Sequence, residues 1–546
     1  MNNKDYRKQI KRALFRGHAM APSFLVVFFF SLTCVMTSCF SDDSEIGSEL
    51  VGEISVDGIE ESYVKTAFIG DVLEINPIVN TTTKDLEYEW LLIDKNTGKK
   101  QSDGTTIEPT VVGTDKNLSL KIDLTPGSYQ LYFKVKDAAD DYGVIKTTSL
   151  SVLTEFTTGF YIMKETADGN TDLDMLSLND NAMNDLITKT QGQAMKGKPY
   201  SMWTNYGSYY INPEDDQIAS QNAIALLTED GNVNILRTTD LGVIFDRKSL
   251  FFDEKAASEK PRAFLIHLMY GLVLLTNEGA YYTANPYAQF PSAAGSGKFG
   301  MPMSKFCSSK YYTRCMRGYS SFYVWDDVSH SIKSVNYNFT ASPLTFTDHT
   351  GEDVTQNLAG YECLSCGTNF ISNQQTDEFI LENTATGDRY LYLMNPRMMF
   401  AYLNRYVKLD PNSHLGKASV MCMNGLSGRY IYCVDNNQLY GCNFVEDDLP
   451  ETPMNLEGIG SGETITYLSN QYFSQDTDDD FDYLIVGTQS GGNYHLYMYK
   501  MVGGAPEGAP VRKMSGTGTV KSVRFMSASL SNGQFGRMRQ VFPVND

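Results

Sequence analysis

Apolar and polar positions alternate in short runs along most of the chain. Between residues 54 and 154 the runs are "SYVKTAF", "VLEINPIV", "LEYEWLLID", "KNLSLKIDL", "SYQLYFKVKDAADDYGV" and "IKTTSLSVL". The third places Leu86, Tyr88 and Trp90 on one face and Glu87 and Glu89 on the other. That is the two-residue period of a half-buried strand. "TPG" at 125–127 marks a turn, with proline and glycine each setting a backbone angle. About seven short strands, with one tryptophan in a central strand, predict a β-sandwich over 54–155. No cysteine lies in this segment, so no disulfide staples it in the antibody manner.

From residue 156 to 546 the pattern repeats. Hairpin-like segments of strand, tight turn and strand begin at Phe160, Ala223, Leu272, Phe322, Phe379, Tyr430 and Tyr483, about 54 residues apart on average. Turns such as "EDGN", "VDNN" and "SGGN" carry residues that tolerate positive φ. Ahead of most hairpins lies a further apolar strand, as in "FLIHLM", "YTRCM", "YECLSC", "VMCMN" and "ITYLS". Three to four strands per repeat predict a β-propeller of about seven blades over 156–546. The tail "TVKSVRFMSASL" has a strand without a following hairpin, and is expected to complete the first blade and close the circle. The expected fold class is therefore all-β. No WD dipeptide or kelch double-glycine pattern recurs to assign a blade family.

The N-terminus reads differently. Six bases against one acid in the first 20 residues precede "APSFLVVFFFSLTCVM", an apolar run short for a bilayer-spanning helix. Ser38 then precedes Cys39. "MTSC" at 36–39 resembles a bacterial lipobox, with Met36 in place of the usual leucine. The resemblance implies a signal peptide over 1–38 and a covalent lipid on Cys39. "FSDDSE" after Cys39 is similar to the surface-export stretch of Bacteroidota lipoproteins and opens an acidic tether over 39–53. A lipidated chain is anchored to a membrane without spanning it.

Charge narrows the partners. The chain carries 45 bases and 65 acids, a net charge of −20. Loss of residues 1–38 removes six bases and one acid and leaves the remainder near −25. Nucleic acid, which needs a basic surface, is not an expected partner.

Chemistry is sparse. Seven cysteines follow Cys39, and "CLSC" at 363–366 has neither a following helix to stabilise a thiolate nor a second pair for zinc. His267, His330, His349, His414 and His495 are scattered, with no H-E-x-x-H and no G-x-S-x-G. "DTDDDFD" sets Asp476, Asp478 and Asp480 at alternate positions as a weak calcium candidate; Phe481 stands where such a loop needs glycine. A solvated acidic loop is the better reading, and no metal or other cofactor is expected. Aromatic residues mixed with amides fall in "YSMWTNYGSYYINP", "YYTANPYAQF" and "MNPRMMFAYLNRY". These nominate Trp203, Tyr209, Tyr210, Tyr287, Phe290 and Tyr406 as exposed rings for a sugar or peptide, against the plainer role of wedging blades together.

"DLTPGSYQLYFKVKDAADDYGV" resembles the PKD subfamily of sandwiches, in which a "PG-x-Y" turn leads into a strand ending in Asp. Together with the lipobox and the repeat region, the chain resembles the PKD-like surface lipoproteins of Bacteroidota. These are similar in setting to accessory lipoproteins of SusC/SusD-type importers. The resemblance implies an outer-membrane lipoprotein facing the exterior, a non-catalytic capture or scaffold component. Its expected partners are a TonB-dependent SusC-like barrel, a SusD-like lipoprotein, and a peptide or oligosaccharide ligand. A glycosidase needs only two carboxylates at a set separation, and 65 acids leave that pair unassigned. A surface glycan-binding protein or glycosidase is thus the alternative, and an adhesin using the sandwich as a stalk is a third.

Overall fold

The computed structural model describes residues 54–95, 109–139, 142–212, 216–267, 271–283, 296–300, 302, 304–314, 322–335, 341–372, 374–396, 401–474, 478, 480–528, 530 and 541–542. The described residues are all-β apart from two short helices, and neither helix is long and apolar enough to cross a membrane.

The N-terminal unit carries a five-stranded sheet in the order Ser62–Thr66, Gly143–Leu153, Gly127–Asp137, Leu86–Asp94 and Thr110–Gly113. The first pair is parallel and the others antiparallel. Two small ladders, Ser55–Asp57 with Ile78–Asn80 and Val72–Ile75 with Leu118–Lys121, complete it. Trp90 is fully buried against Phe133, with ring centroids 4.4 Å apart. The "PG-x-Y" turn has a physical reason: the Tyr129 hydroxyl donates to the Thr125 carbonyl at 2.7 Å and ties the turn to the strand it opens.

Among the described residues, seven further sheets follow in chain order. The first pairs Gly159–Glu165 with Thr171–Ser177 on one side and with the C-terminal strand Thr519–Met526 on the other. The others have Pro199–Ile211, Pro261–His267, Ser308–Arg314, Tyr361–Ile371, Val420–Met423 and Thr464–Phe473 as opening strands, each followed by antiparallel neighbours; the fifth sheet also carries Phe346–Thr347, parallel to Ala401–Lys408 at its far edge. The seven hairpins read from the sequence all occur, each as the pair that follows the opening strand or, in the first sheet, the C-terminal strand.

The opening strands contact one another in sequence, and the last contacts Thr519–Met526, which in turn contacts Pro199–Ile211. Every junction in this circuit carries a hydrogen bond between sheets. Arg524 Nε donates to the Met202 carbonyl (3.1 Å) and Ser201 Oγ to the Arg262 carbonyl (2.9 Å). The Tyr312 hydroxyl donates to the Phe264 carbonyl (3.2 Å), and Thr313 Oγ1 to Asp377 Oδ2 (2.7 Å). Asn369 Nδ2 donates to the Asn424 carbonyl (2.8 Å), Gly425 N to Asn470 Oδ1 (2.8 Å), and Gln471 Nε2 to the Val523 carbonyl (2.5 Å). In six of these seven bonds a side chain satisfies a backbone group that the junction buries; the Thr313–Asp377 bond joins two side chains.

Six of the cysteines, Cys307, Cys363, Cys366, Cys422, Cys433 and Cys442, are free thiols. Cys363 and Cys366 lie within one strand, and burial pushes the Cys363 thiol far from its reactive form.

Candidate functional site

A groove of about 1320 Å³ opens where the turns of the first, second and seventh sheets meet. Its walls come from the turn 166–170, the helix Leu186–Gln191 with the chain leaving it, the stretches 232–234 and 246–248, Gly492, and the link 517–518. These pieces are far apart in sequence. They meet because the C-terminal strand returns to the first sheet.

The helix is set into the wall by two aspartates. Asp172, on the neighbouring strand, takes the Ile187 amide (3.0 Å) on Oδ1 and the Thr188 hydroxyl (2.6 Å) on Oδ2. Asp172 thus does the work of an N-cap for orphan helical amides. Asp185, at the usual N-cap position, makes no such bond and sits in the left-handed region at φ 56°. Its carboxylate turns instead to Lys164 Nζ at 2.6 Å, and its amide donates to Asp174 Oδ1 at 2.7 Å. The Lys164 side chain is only 1% exposed and also meets Asp174 at 2.8 Å. Burial alone would lower the Lys164 ammonium, but Asp174 and Asp185 outweigh it and hold it above the usual lysine range. Tyr494, from the seventh sheet, donates its hydroxyl to Asp174 Oδ2 at 2.6 Å. Gly516 is required there, because a Cβ would lie 2.7 Å from Asp174 Oδ2 and 2.6 Å from the Tyr494 ring.

Groove charge is balanced. Asp168, Asp172, Asp185 and Asp246 face Lys189, Lys196, Arg247 and Lys248, with asparagine and glutamine between them. Asp246 is occupied by Ser249 (2.7 Å) and the Lys248 amide (3.0 Å), bonds that outweigh burial and hold its carboxyl below the ordinary range. Asp185, 43% exposed at its side chain, keeps its second oxygen for solvent or ligand. Among the described residues, none that lines the groove is aromatic.

A second concavity of about 500 Å³ lies between the fifth and sixth sheets. His414 lines it, with Nδ1 2.8 Å from Asp435 Oδ2 and its ring stacked on Tyr440 at 3.5 Å. Glu451 accepts the His414 and Leu415 amides at 2.8 and 2.7 Å.

The aromatic residues nominated from sequence do not gather at either place. Trp203 is 5% exposed, 5.4 Å from Tyr312 between the second and fourth sheets, with the Arg524 guanidinium 5.0 Å from its ring. Tyr210 is equally buried. Their expected exposure is corrected: both lie in a strand whose two faces are covered by adjoining sheets. Tyr406 stacks on Tyr390 at 5.2 Å and lies 3.1 Å, hydroxyl to hydroxyl, from Tyr361. Tyr209 is half-buried near the end of a long hairpin. Tyr287, Phe290, Cys39 and Asp476 lie outside the described residues. Asp478 and Asp480 are exposed; Asp480 Oδ2 accepts the Ser474 hydroxyl at 2.6 Å, and no metal-ligating cluster occurs among the described residues. Asp185 and His414 were the residues that periodicity could not single out. One signal was present: "NDNAMND" and "DPNSH" are turn-rich breaks in the strand rhythm.

The PKD-like family profile matches residues 39–199, which takes in the sandwich and continues through the first sheet to the helix beside the groove. No curated protein matches the chain. Among solved structures, the chain is similar to a quinonprotein alcohol dehydrogenase-like protein from Bacteroides thetaiotaomicron. Identity is 14% over 85% of this chain and 96% of that one, with a TM-score of 0.44. The Dos1 propeller is 8% identical over 68% of this chain and 78% of that one, with a TM-score of 0.31.

Proposed function

We propose that this protein is a lipid-anchored, surface-exposed capture component of a SusC/SusD-type, TonB-dependent importer. Cys39 carries the lipid, residues 39–53 form the tether, and residues 54–155 form the sandwich. Residues 156–546 form a propeller whose seven blades are the seven sheets. The closed circuit of inter-sheet hydrogen bonds supports the propeller reading.

One observation carries the capture role: the groove's size, polarity and position. At about 1320 Å³ it exceeds the usual small-ligand pocket of roughly 300–1,000 Å³. It lies at the end of the strand Gly159–Glu165 away from the sandwich, a strand length of about 20 Å at ~3.3 Å per residue. The groove therefore lies at the far end of this strand from Leu153, where the sandwich sheet ends. The charged and amide side chains on its walls suit a peptide or oligosaccharide held without chemistry.

The test is isolation from native outer membranes in mild detergent. A TonB-dependent barrel and a SusD-like lipoprotein should co-purify with the chain, and Cys39→Ala should lose both the lipid mass and membrane attachment. Isolation without any barrel would overturn the importer assignment. Release of sugar product from a polysaccharide would favour the glycosidase reading instead.

A further inference from the structure

We propose that the groove binds an extended polypeptide carrying charges of both signs, with Asp185 as its fixed acceptor. This rests on the capture reading of the same groove and names its ligand class.

Three features of the groove lead there. First, Asp185 is preorganised. It is held at positive φ by its own amide bond to Asp174 and by a charge pair to the buried Lys164. Non-glycine residues kept in this region persist only where their surroundings over-determine them. One carboxylate oxygen is spent on Lys164, and the other is left for a peptide N–H or a lysine ammonium. Second, Lys189 and Lys196 are exposed on the walls and form no ion pair among the described residues, and exposed Lys248 favours the neighbouring Asp246 carboxylate without a close contact to it. They call for acidic groups on the same ligand. Third, among the described residues the lining has no aromatic face on which a pyranose ring could stack. An acidic polysaccharide would satisfy the lysines but would set its carboxylates against Asp185. A polypeptide with interspersed acidic and basic residues satisfies both, and its amides match the asparagine and glutamine side chains between the charges.

The experiment is fluorescence anisotropy on the full-length protein with a fluorescein-labelled 16-residue alternating Glu–Lys peptide. Neutral dextran and polygalacturonate oligomers of similar size serve as competitors. Saturable binding is expected, weakening at least tenfold from low to high salt because the contacts are charged. Asp185→Asn should weaken it at least tenfold. Ala194→Trp, a bulky change on the groove wall away from the Lys164 cluster, should abolish it with an unchanged thermal transition; it also serves if Asp185→Asn fails to fold. Peptide binding that survives both substitutions overturns the proposal. Binding of a saccharide but not the peptide, blocked by Ala194→Trp, overturns the polypeptide assignment and leaves capture standing. Binding of neither overturns both.

Discussion

The Phe68 ring stacks on Phe156 at 5.5 Å with 20° between their planes, and it packs at once against the sandwich core and the core of the first two sheets. Phe68 sits at φ 67°, a strained conformation for an aromatic residue. Thr154 Oγ1 donates to the Thr239 carbonyl at 2.8 Å beside it. The sandwich is thus docked on the sheets through a tight turn and is not merely strung ahead of them, and the match to the PKD-like family runs through this junction without a break.

Phe68→Ala and Phe68→Gly separate the two contributions. Alanine loses the stack and keeps the backbone strain. Glycine loses the stack and relieves the strain, by roughly 1 kcal/mol. Both should destabilise the junction, alanine the more. Calorimetry is the measurement, with the single transition of the parent splitting into two in the alanine variant. A larger loss for glycine would mean that the positive φ carries no strain.

Lys164 should behave as a buried charge whose partners depend on it. Lys164→Met leaves Asp174 buried without its cation, which costs about 3–5 kcal/mol in comparable sites. Adding Asp174→Asn should recover part of that loss, because the amide removes the uncompensated charge while its oxygen still accepts the Asp185 amide. Denaturant melts of the single and double variants provide the check. Tyr494 and Gly516 reach this cluster from the seventh sheet, so limited proteolysis of Lys164→Met should cut first near the C-terminal strand.

Trp203→Ala should lose about 3–5 kcal/mol of stability, as for other buried large aromatics. The ring lies between Tyr312 and Arg524, and its Nε1 donates to Ser201 Oγ at 3.0 Å. Tyr209→Ala should cost far less. Thermal melts of the two variants test this. Equal losses would mean that Trp203 does not wedge the sheets.

The strand plan was legible because short apolar runs such as "FYVWD", "YIYCVD" or "YLIVGTQS", closed by tight-turn residues, are a local property, and each became the strand expected. The return of residues 519–526 to the first sheet was legible for the same reason, as an unpaired strand. The groove was not. Asp185 is one of many acids in sequence, and only the burial of Lys164 and the path of residues 512–518 give it a role. The aromatic residues misled for a related reason. "YSMWTNYGSYYI" has the composition of an exposed binding stretch, yet it is an opening strand enclosed by sheets on both sides. Composition reports which side chains are present, whereas exposure depends on which strands close over them.

Asp377 and Glu378 make stability depend on pH in an unusual direction. They are consecutive on the strand Gln374–Asn383 and both fully buried, Asp377 bonded to Thr313 of the fourth sheet and Glu378 beside Gly367, against Met423 of the sixth. Burial pushes the Asp377 carboxyl up to about 7 despite bonds from Gln375, Thr313 and Thr368, and pushes Glu378 up to about 8. In the unfolded chain both release their protons near pH 4. Between pH 4 and these raised values the folded state therefore holds protons that the unfolded state has lost. Their stabilising effect is full below about pH 4 and is lost as pH rises to about 7 for Asp377 and about 8 for Glu378, at roughly 1.4 kcal/mol per unit for each group. Glu378→Gln and Asp377→Asn keep the shape and remove the titration. Denaturant midpoints measured from pH 5 to 8.5 should fall steadily in the parent and more shallowly in each variant, with Glu378→Gln gaining most above pH 7. A parent profile that rises over this range, or a Glu378→Gln profile parallel to it, would show that the buried carboxyl ionises no later in the folded chain than in the unfolded one.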